Sequence, residues 1–236
     1  MTLEETLKSY DLNDKEIKEI CAIIKYIYEH REFQKRLTKD FLHHGEKTLG
    51  MHILEDTIKT YKLAQKYLKK DKNFRLDLAI KIAMFHDLYT MPWQNNEFAK
   101  YNKFRNKHGF RHPVEAAINA YTWFSDDFKD ILDAKIIIDG IIHHMYPLPA
   151  IVIDNKIVNN RELNNFELFK KMPENMQDLI FTSTARCKFL NLSWCKSKYL
   201  EGKIMARADK MASLTQFNNI YSVMALVTGK NKSLRK

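Results

Sequence analysis

Glycine and proline are scarce in this sequence, with six and five among 236 residues. Folds that are rich in tight turns draw heavily on both, because glycine supplies positive φ angles and proline presets a turn conformation. Lysine, glutamate, leucine, isoleucine, alanine and methionine instead recur at spacings that suit helices. The sequence therefore predicts an all-α protein, and its length favours one large domain with extensions.

Cysteine is also rare: the sequence has three, Cys21, Cys187 and Cys195, and no C-x-x-C motif. An odd number without that motif predicts neither a disulfide framework nor a thiolate zinc site, and free thiols suit a reducing compartment. No apolar stretch approaches the roughly 18 residues that span a bilayer, and the first residues lack the apolar core of a signal peptide. We therefore expect a cytoplasmic protein without a membrane partner.

Acidic residues are outnumbered by basic ones, 29 to 39, which gives a formal net charge of +10. A clustered excess of positive charge would indicate binding to nucleic acid through counterion release. Here the lysines are scattered over nearly every predicted helix, so a nucleic-acid partner is disfavoured but not excluded. The charge favours a small anionic, phosphate-bearing substrate, and the pattern does not argue against a homodimer.

Apolar periodicity and capping residues divide the chain into predicted helices. Asn13 followed three residues later by Glu16 predicts one helix start, and Pro113 predicts another with His112 as its N-cap. The predicted helices cover 14–40, His52 to the polar stretch 69–73, 75–89, 114–124, 127–144, 174–191 and 198–228.

These helices group into an N-terminal extension, a core domain and a tail. We expect residues 1–40 to pack on the core as a helical extension and 41–228 to form one metal-binding helical domain. The polar and aromatic stretch 92–110 predicts a long loop, and loops of that length in compact domains are often functional. A hairpin or an irregular insert is predicted near 150–165, and 229–236 should be frayed.

Histidine is concentrated in one part of the chain, since eight of the nine lie between positions 43 and 144. A single histidine is more often an ordinary surface or core residue than a metal ligand. Several groups near predicted helix ends are a stronger signal, because imidazoles from separate elements can converge on one ion. The groups are His43, His44 and His52; His86; His108 and His112; and His143 and His144.

The His86-Asp87 pair ends an otherwise apolar predicted helix. Burying two ionisable groups is costly unless they are paired or metal-bound. A plain capping role suits His86, but a carboxylate at a helix C-terminus is unfavourable, which argues for a compensating cation near Asp87. The two oxygens of that carboxylate could each bind a separate cation.

Three predicted helices carry, in chain order, His52, the His86-Asp87 pair and Asp209. This order resembles the H…HD…D signature of the HD-domain superfamily. Members of that superfamily are all-helical and mostly metal-dependent phosphohydrolases. Over residues 41–215 the chain is more closely similar to a family of small bacterial HD-domain hydrolases. The blocks that carry this similarity are HHGEKTLGMH, AMFHDLYTMPW, HGFRHP, HHMYPLP and ADKMASL.

The resemblance implies a ligand set. A first metal ion would be bound by His52, His86, Asp87 and Asp209, with Asp87 as the catalytic residue that can bridge to a second ion. His112 and His144 match the two extra histidines of dinuclear members, and His144 is preferred to His143 because it directly precedes M-x-P-L. The implied cofactors are one or two divalent ions, Fe, Mn, Co or Zn, with Mg as a further candidate.

The residues expected to contact substrate surround these ligands. Lys210 follows Asp209, Lys107 directly precedes the HGFRHP block and Arg111 lies within it; all three are candidates for holding phosphate. His108 is a further candidate substrate contact, and His44 could support a ligand. Such lysines and arginines are more often solvated, and a structural role explains the two histidines equally well.

The favoured function is phosphoester or nucleotide hydrolysis through a metal-activated hydroxide. The sequence HDLYTM lacks the glycine-lysine that often follows HD in cyclic-dinucleotide phosphodiesterases, and the insert over 150–205 is longer than expected. The missing glycine-lysine puts cleavage of cyclic dinucleotides in doubt, and the long insert indicates a substrate preference peculiar to this protein. Two alternatives stay open: a di-iron oxygenase, because related proteins use the same ligands to activate oxygen, and a non-catalytic module that senses a nucleotide.

Overall fold

The computed structural model describes residues 1–90, 108–148, 150, 166–184 and 195–216. Within these ranges the chain forms ten α-helices and one two-stranded sheet, which confirms the all-α prediction. The helices are α1 (Leu3–Lys8), α2 (Asp14–Glu29), α3 (Arg31–Arg36), α4 (Leu49–Leu68), α5 (Leu76–Phe85), α6 (His108–Trp123), α7 (Ile131–Ile142), α8 (Phe166–Lys171), α9 (Glu174–Ser183) and α10 (Leu200–Gln216).

The N-terminal region contains three helices where one was predicted. Asn13 caps α2 as expected, since its side chain accepts from the backbone of Glu16 and the Glu16 carboxylate accepts from the backbone of Asn13. The predicted helix over 14–40 is wrong in its length, because His30 adopts an extended backbone and its Nδ1 accepts from the Glu32 amide, which starts α3. Helix α1, capped by Thr2, was not predicted.

Two short antiparallel strands, β1 (Leu42–His44) and β2 (Lys47–Thr48), precede α4. Gly45 has a φ of 61° in the turn between them, a conformation that glycine adopts without strain. The Thr48 hydroxyl then accepts from the Met51 amide and begins α4. This hairpin brings the chain into α4 with His43 on its first strand.

Helix α6 begins earlier than predicted. Pro113 was expected in the first turn with His112 as N-cap, but the helix starts at His108 and Pro113 lies inside it. Proline costs the helix one backbone donor. The His112 ring makes a separate contact one residue before it, with Nδ1 2.8 Å from the His108 carbonyl oxygen. His112 therefore projects from the second turn of a helix rather than from its cap.

Helix α7 is shorter than the predicted range 127–144. Residues Ser125–Phe128 form a separate 3-10 turn, and Asp130 caps α7 by accepting from the amides of Leu132 and Asp133. The helix ends at Ile142, and His143 is its C-cap. The two histidines of the HHMYPLP block consequently lie just past a helix end.

Helix α5 lies at the centre of the bundle, as its apolar sequence predicts. It contacts α4, α7 and α10, and α10 in turn packs on α4 and α7. Residues from α1 and α2, including Leu7 and Ile20, belong to the same apolar cluster as Ile80 of α5. Because α5 is surrounded, its C-terminal end, which carries His86 and Asp87, opens into the interior of the bundle and not to solvent.

Helices α7 and α10 approach each other at two glycines. A Cβ atom built on Gly202 would lie 2.7 Å from the Cα of Gly140 and even closer to the Ser197 hydroxyl. Such separations are below any ordinary carbon contact, so the helices could not lie this close with larger residues. The glycine contact therefore fixes the position of α10, and with it Asp209 about two turns further along.

Other predictions fall wholly or partly outside the described residues. The structure does describe α9 and α10 within the predicted ranges 174–191 and 198–228, and it adds the unpredicted α8. No helix among the described residues has the length and apolar character needed to cross a membrane. Outside the described ranges lie most of the loop 92–110, the insert 151–165, Cys187, the stretches 185–191 and 217–228, and the tail 229–236.

Candidate metal centre

Three elements bring imidazoles and carboxylates to one buried location. His52 and Asp56 lie one turn apart on α4, so their side chains share a face of that helix. His86 and Asp87 follow the end of α5, and Asp209 comes from α10. All five residues are buried.

The first set of ligand atoms surrounds the Nε2 atoms of two histidines. His52 Nε2 lies 3.2 Å from Asp56 Oδ2, 3.5 Å from Asp87 Oδ2 and 3.8 Å from Asp209 Oδ1. His86 Nε2 lies 3.5 Å from Asp56 Oδ2 and 3.7 Å from Asp87 Oδ2. Neighbouring ligands about 2.0 to 2.2 Å from one ion are separated from each other by roughly 3 to 3.5 Å. One ligand atom from each of four residues lies within 4.8 Å of the other three, close enough for this group to hold a single cation: His52, Asp56, His86 and Asp209.

A second set of ligand atoms lies on the other side of the Asp87 carboxylate. Asp87 Oδ1 is 3.2 Å from His112 Nε2 and 3.6 Å from His144 Nε2, and the two Nε2 atoms are 2.9 Å apart. Asp87 thus presents one oxygen to His52 and His86 and the other to His112 and His144. A carboxylate in this position can bridge two ions.

Backbone carbonyls orient three of these imidazoles. The Nδ1 atoms of His86, His112 and His144 lie 2.7 Å, 2.8 Å and 2.7 Å from the carbonyl oxygens of Ala83, His108 and Ile141. A carbonyl only accepts, so each Nδ1 must carry the proton and donate it. In the neutral imidazole the lone pair is then on Nε2, the atom that faces the carboxylates, which is the usual arrangement of a histidine ligand.

The charges in the cluster perturb one another strongly. Burial disfavours the charged form of His86, but the carboxylates around it, Asp87 foremost, outweigh burial and raise its pKa to about 10. Burial likewise opposes ionisation of Asp87, yet the surrounding imidazoles hold its pKa well below the usual range. Burial and the Asp56 carboxylate raise the pKa of Asp209 to about 6.

Several buried polar atoms in the cluster lack hydrogen bonds. Among the described residues, no group forms a hydrogen bond of good geometry with either Asp56 oxygen, with His86 Nε2 or with Asp87 Oδ1. Buried polar atoms are normally satisfied, and unpartnered carboxylates are especially costly. A divalent cation would satisfy these atoms together, so the donor set fits a metal ion, and the His/Asp groups can hold one.

Arg36 connects α3 to the residues that follow Asp87. Its guanidinium is buried, donates to the backbone carbonyls of Glu32 and Tyr89, and lies 4.8 Å from the Trp123 ring centroid. Burial lowers the pKa of Arg36 to about 10, so the group still carries its charge at neutral pH. This contact holds the backbone two residues beyond Asp87 in place.

The other sequence-predicted residues lie in different surroundings. His143 does not face the cluster, because its ring contacts Asp139, with Nδ1 2.8 Å from the Asp139 carbonyl oxygen. Arg111 forms a buried ion pair with Glu115 at 3.1 Å. His108 stacks on His112 with ring centroids 4.4 Å apart.

Lys210 lies at the edge of the cluster. It follows Asp209, and its ammonium is 4.6 Å from the ring centroid of Tyr146, two residues after His144. Burial lowers the pKa of Lys210. His44 lies in β1 but its side chain is outside what the structure describes, and Lys107 lies outside the described residues altogether.

Sequence reasoning missed Asp56 and Tyr89, and it counted His43 among the grouped histidines without giving it a role. Asp56 stands four residues after His52, a spacing that places two side chains on one helix face and could have revealed it. His43 stacks on His52 with ring centroids 4.1 Å apart, and its Nδ1 lies 3.3 Å from the Tyr89 hydroxyl. Tyr89 also makes edge contacts with His108 and His112, and no pattern along the chain signals these approaches.

The chain matches no family model, no curated protein and no solved structure. The resemblance to the HD-domain superfamily therefore stays a prediction that depends on the sequence motifs.

Metal binding is expected to release protons. Without metal the raised pKa of His86 keeps its Nε2 protonated at neutral pH, and an ion can bind that atom only after the proton leaves. Protons compete with the ion, so affinity should rise with pH between 6 and 8. Calorimetric titration in buffers of different ionisation enthalpy should report at least about one proton released per first ion; an affinity independent of pH would contradict this.

Proposed function

We propose that the protein is a metal-dependent phosphohydrolase that acts on a small phosphate ester or nucleotide. The observation that carries this proposal is the position of Asp87, whose two oxygens face two separate pairs of imidazoles. Two-ion sites of this kind clamp the attacking and leaving oxygens of an in-line displacement at phosphorus. The order of the ligands along the chain, which resembles the HD-domain signature, supports the same reaction.

Divalent ions at these positions would lower the pKa of a coordinated water to about 7 and stabilise charge on the phosphoryl oxygens. Imidazole and carboxylate together suit Fe²⁺, Mn²⁺, Co²⁺ or Zn²⁺ better than Mg²⁺, which prefers oxygen ligands alone.

The residues of the chain hold this arrangement rigid. The carbonyls that accept from His86, His112 and His144 fix the direction of each ring, and the well-lowered pKa of Asp87 keeps its carboxylate ionised. The ligand side chains then do not have to reorient during the reaction, which is the main advantage of a preorganised site.

Lys210 is the residue we assign to the substrate. Its ammonium lies between the segment that carries Asp209 and the segment that carries His144, held over the Tyr146 ring. A lysine in this position can bind a phosphate oxygen as a point charge. Arg111 is a weaker candidate, because its charge is already balanced by Glu115.

We further propose that the protein works in the cytoplasm, because the buried Cys21 is a free thiol and the sequence has no C-x-x-C motif.

The test is an assay of the purified protein against a panel of nucleotides and phosphoesters with Mn²⁺, Co²⁺ or Fe²⁺ added in turn. We expect release of phosphate or of a monoester that stops when a chelator is added and returns when the ion is restored. Oxygen uptake is followed in the same reactions with Fe²⁺. Uptake of oxygen without phosphate release would overturn the proposal in favour of the di-iron oxygenase, and tight nucleotide binding without turnover would overturn it in favour of a sensor.

A further inference from the structure

Asp56 is the most deeply buried carboxylate of the cluster, with 0% of its surface exposed. It lies on α4 one turn after His52, and the tight packing of α4 against α5 places it opposite His86. Its Oδ2 atom is 3.2 Å from His52 Nε2 and 3.5 Å from His86 Nε2. Asp56 therefore faces the same two ring nitrogens as Asp87 and Asp209.

Neither oxygen of Asp56 has a hydrogen-bond partner of good geometry among the described residues. A fully buried carboxylate that lacks well-aligned donors is costly to desolvate. Asp56 makes ion-pair contacts with the Nε2 atoms of His52 and His86, which would themselves bind an ion. A cation would supply the missing partner.

Asp139, a second buried aspartate, has a structural role and provides a comparison for Asp56. Asp139 on α7 is also almost fully buried, but its Oδ2 accepts from the Ser197 hydroxyl at 2.6 Å and from the Lys198 amide at 2.8 Å. Those bonds tie α7 to the segment before α10. Asp56 makes no comparable bond, so structural hydrogen bonding does not explain its burial.

We propose that Asp56 is a fifth protein ligand of the first ion, beside His52, His86, Asp87 and Asp209. This inference rests on the metal site of the proposed function and adds to it a difference between the two positions. The first position would have three carboxylates and two imidazoles, and the second has two imidazoles and only the shared carboxylate of Asp87. Such a first position suits a six-coordinate ion such as Mn²⁺ or Fe²⁺ better than tetrahedral Zn²⁺, and it should bind its ion more tightly than the second.

The experiment titrates metal-free full-length protein with Mn²⁺ and follows binding by calorimetry. We expect a tight and a weaker binding step in the unchanged protein. Asp56→Asn should weaken the tight step by at least about 10-fold, the lower end of what losing even an indirect support of a metal costs. The matched control is Glu55→Gln, which removes the neighbouring carboxylate of the same helix, one that pairs with Lys47 away from the cluster, and it should leave the tight step unchanged.

The absorption spectrum of bound Co²⁺ distinguishes a ligand from a distant support. Six-coordinate Co²⁺ absorbs weakly, and absorption grows as ligands are lost, so Asp56→Asn should give a more intense visible band while Glu55→Gln should not. Asp56→Glu, which restores a carboxylate, should recover part of the affinity and of the original spectrum, and it keeps the test decisive if Asp56→Asn fails to fold. Unchanged affinity and spectrum in the Asn variant would overturn the proposal for Asp56.

These readouts are independent of catalysis. If the unchanged protein binds two ions but releases no phosphate, only the proposed reaction fails. If the unchanged protein binds no ion at all, the proposal for Asp56 and the metal-dependent reaction fail together. If Asp56→Asn binds as tightly as the unchanged protein while phosphate release is intact, only the proposal for Asp56 fails.

Discussion

If the protein is the proposed phosphohydrolase, Asp87→Asn is expected to reduce phosphate release by at least about 100-fold, because it removes the carboxylate that we propose to serve both ion positions. An asparagine keeps the size of the side chain but offers one oxygen, and its amide nitrogen repels a cation on the other side. The two imidazole pairs that now face Oδ1 and Oδ2 would no longer share a ligand. The measurement is the initial rate of phosphate release with the best substrate of the panel, at saturating Mn²⁺.

The number of ions bound to the Asp87→Asn variant shows whether the loss of activity comes from loss of metal. Elemental analysis of Asp87→Asn should show fewer ions bound than in the unchanged protein, since both positions lose a charged ligand. Asp133→Asn is the matched control, because Asp133 pairs with Arg75 away from the cluster, and its rate and metal content should stay the same. An Asn variant that keeps its full rate and both ions would show that Asp87 is not a bridge.

Gly202→Ala is expected to destabilise the protein by about 1 to 3 kcal/mol, because the added Cβ has no room against the Gly140 backbone and Ser197. A backbone cannot turn aside as a side chain can, so α10 has to move away from α7. The movement would also carry Asp209 away from His52 and weaken the first ion position. Thermal unfolding should therefore begin several degrees lower, and the Mn²⁺ affinity of the tight step should fall as well.

A second glycine provides the comparison for this substitution. A Cβ on Gly109 in α6 would meet only the tips of Met145 and Leu148, at 3.8 Å, which is ordinary contact. Gly109→Ala should leave the stability unchanged or raise it by up to about 1 kcal/mol, since alanine is the better helix former. If both variants unfold at the same temperature as the unchanged protein, the close approach of α7 and α10 does not fix the position of Asp209.

Much of the fold could be predicted from the sequence, because helices depend on the spacing of residues close together in the chain. Apolar spacing located α2, α4, α5 and most of α7, and the capping residue Asn13 marked one start correctly. The predicted helix boundaries are wrong at two single residues. His30 interrupts the predicted helix over 14–40, and Pro113, which predicted the start of a helix, lies more than one turn inside α6. Periodicity averages over several residues and is insensitive to both.

The sequence could predict those residues of the candidate site whose side-chain type and motif indicate metal binding. The sequence indicated His52, His86, Asp87 and Asp209 through the HD-domain resemblance, and the structure brings these four together. It did not indicate Asp56, because an aspartate inside an amphipathic helix is usually a solvated residue. Its importance depends on which face of α4 is buried against α5, and that is a property of the packing.

Residue types and their spacing along the chain determined that this protein is helical, that α5 is buried, and which side chains are able to bind a cation, because periodicity and ligand chemistry are local properties. Only the tertiary structure decided that Asp87 lies between two imidazole pairs, that Asp56 joins the first of them, and that His144 rather than His143 faces Asp87. The reason is geometric. Ligands from five separate elements converge only when helix packing, down to the contact of Gly140 with Gly202, sets the distances between them.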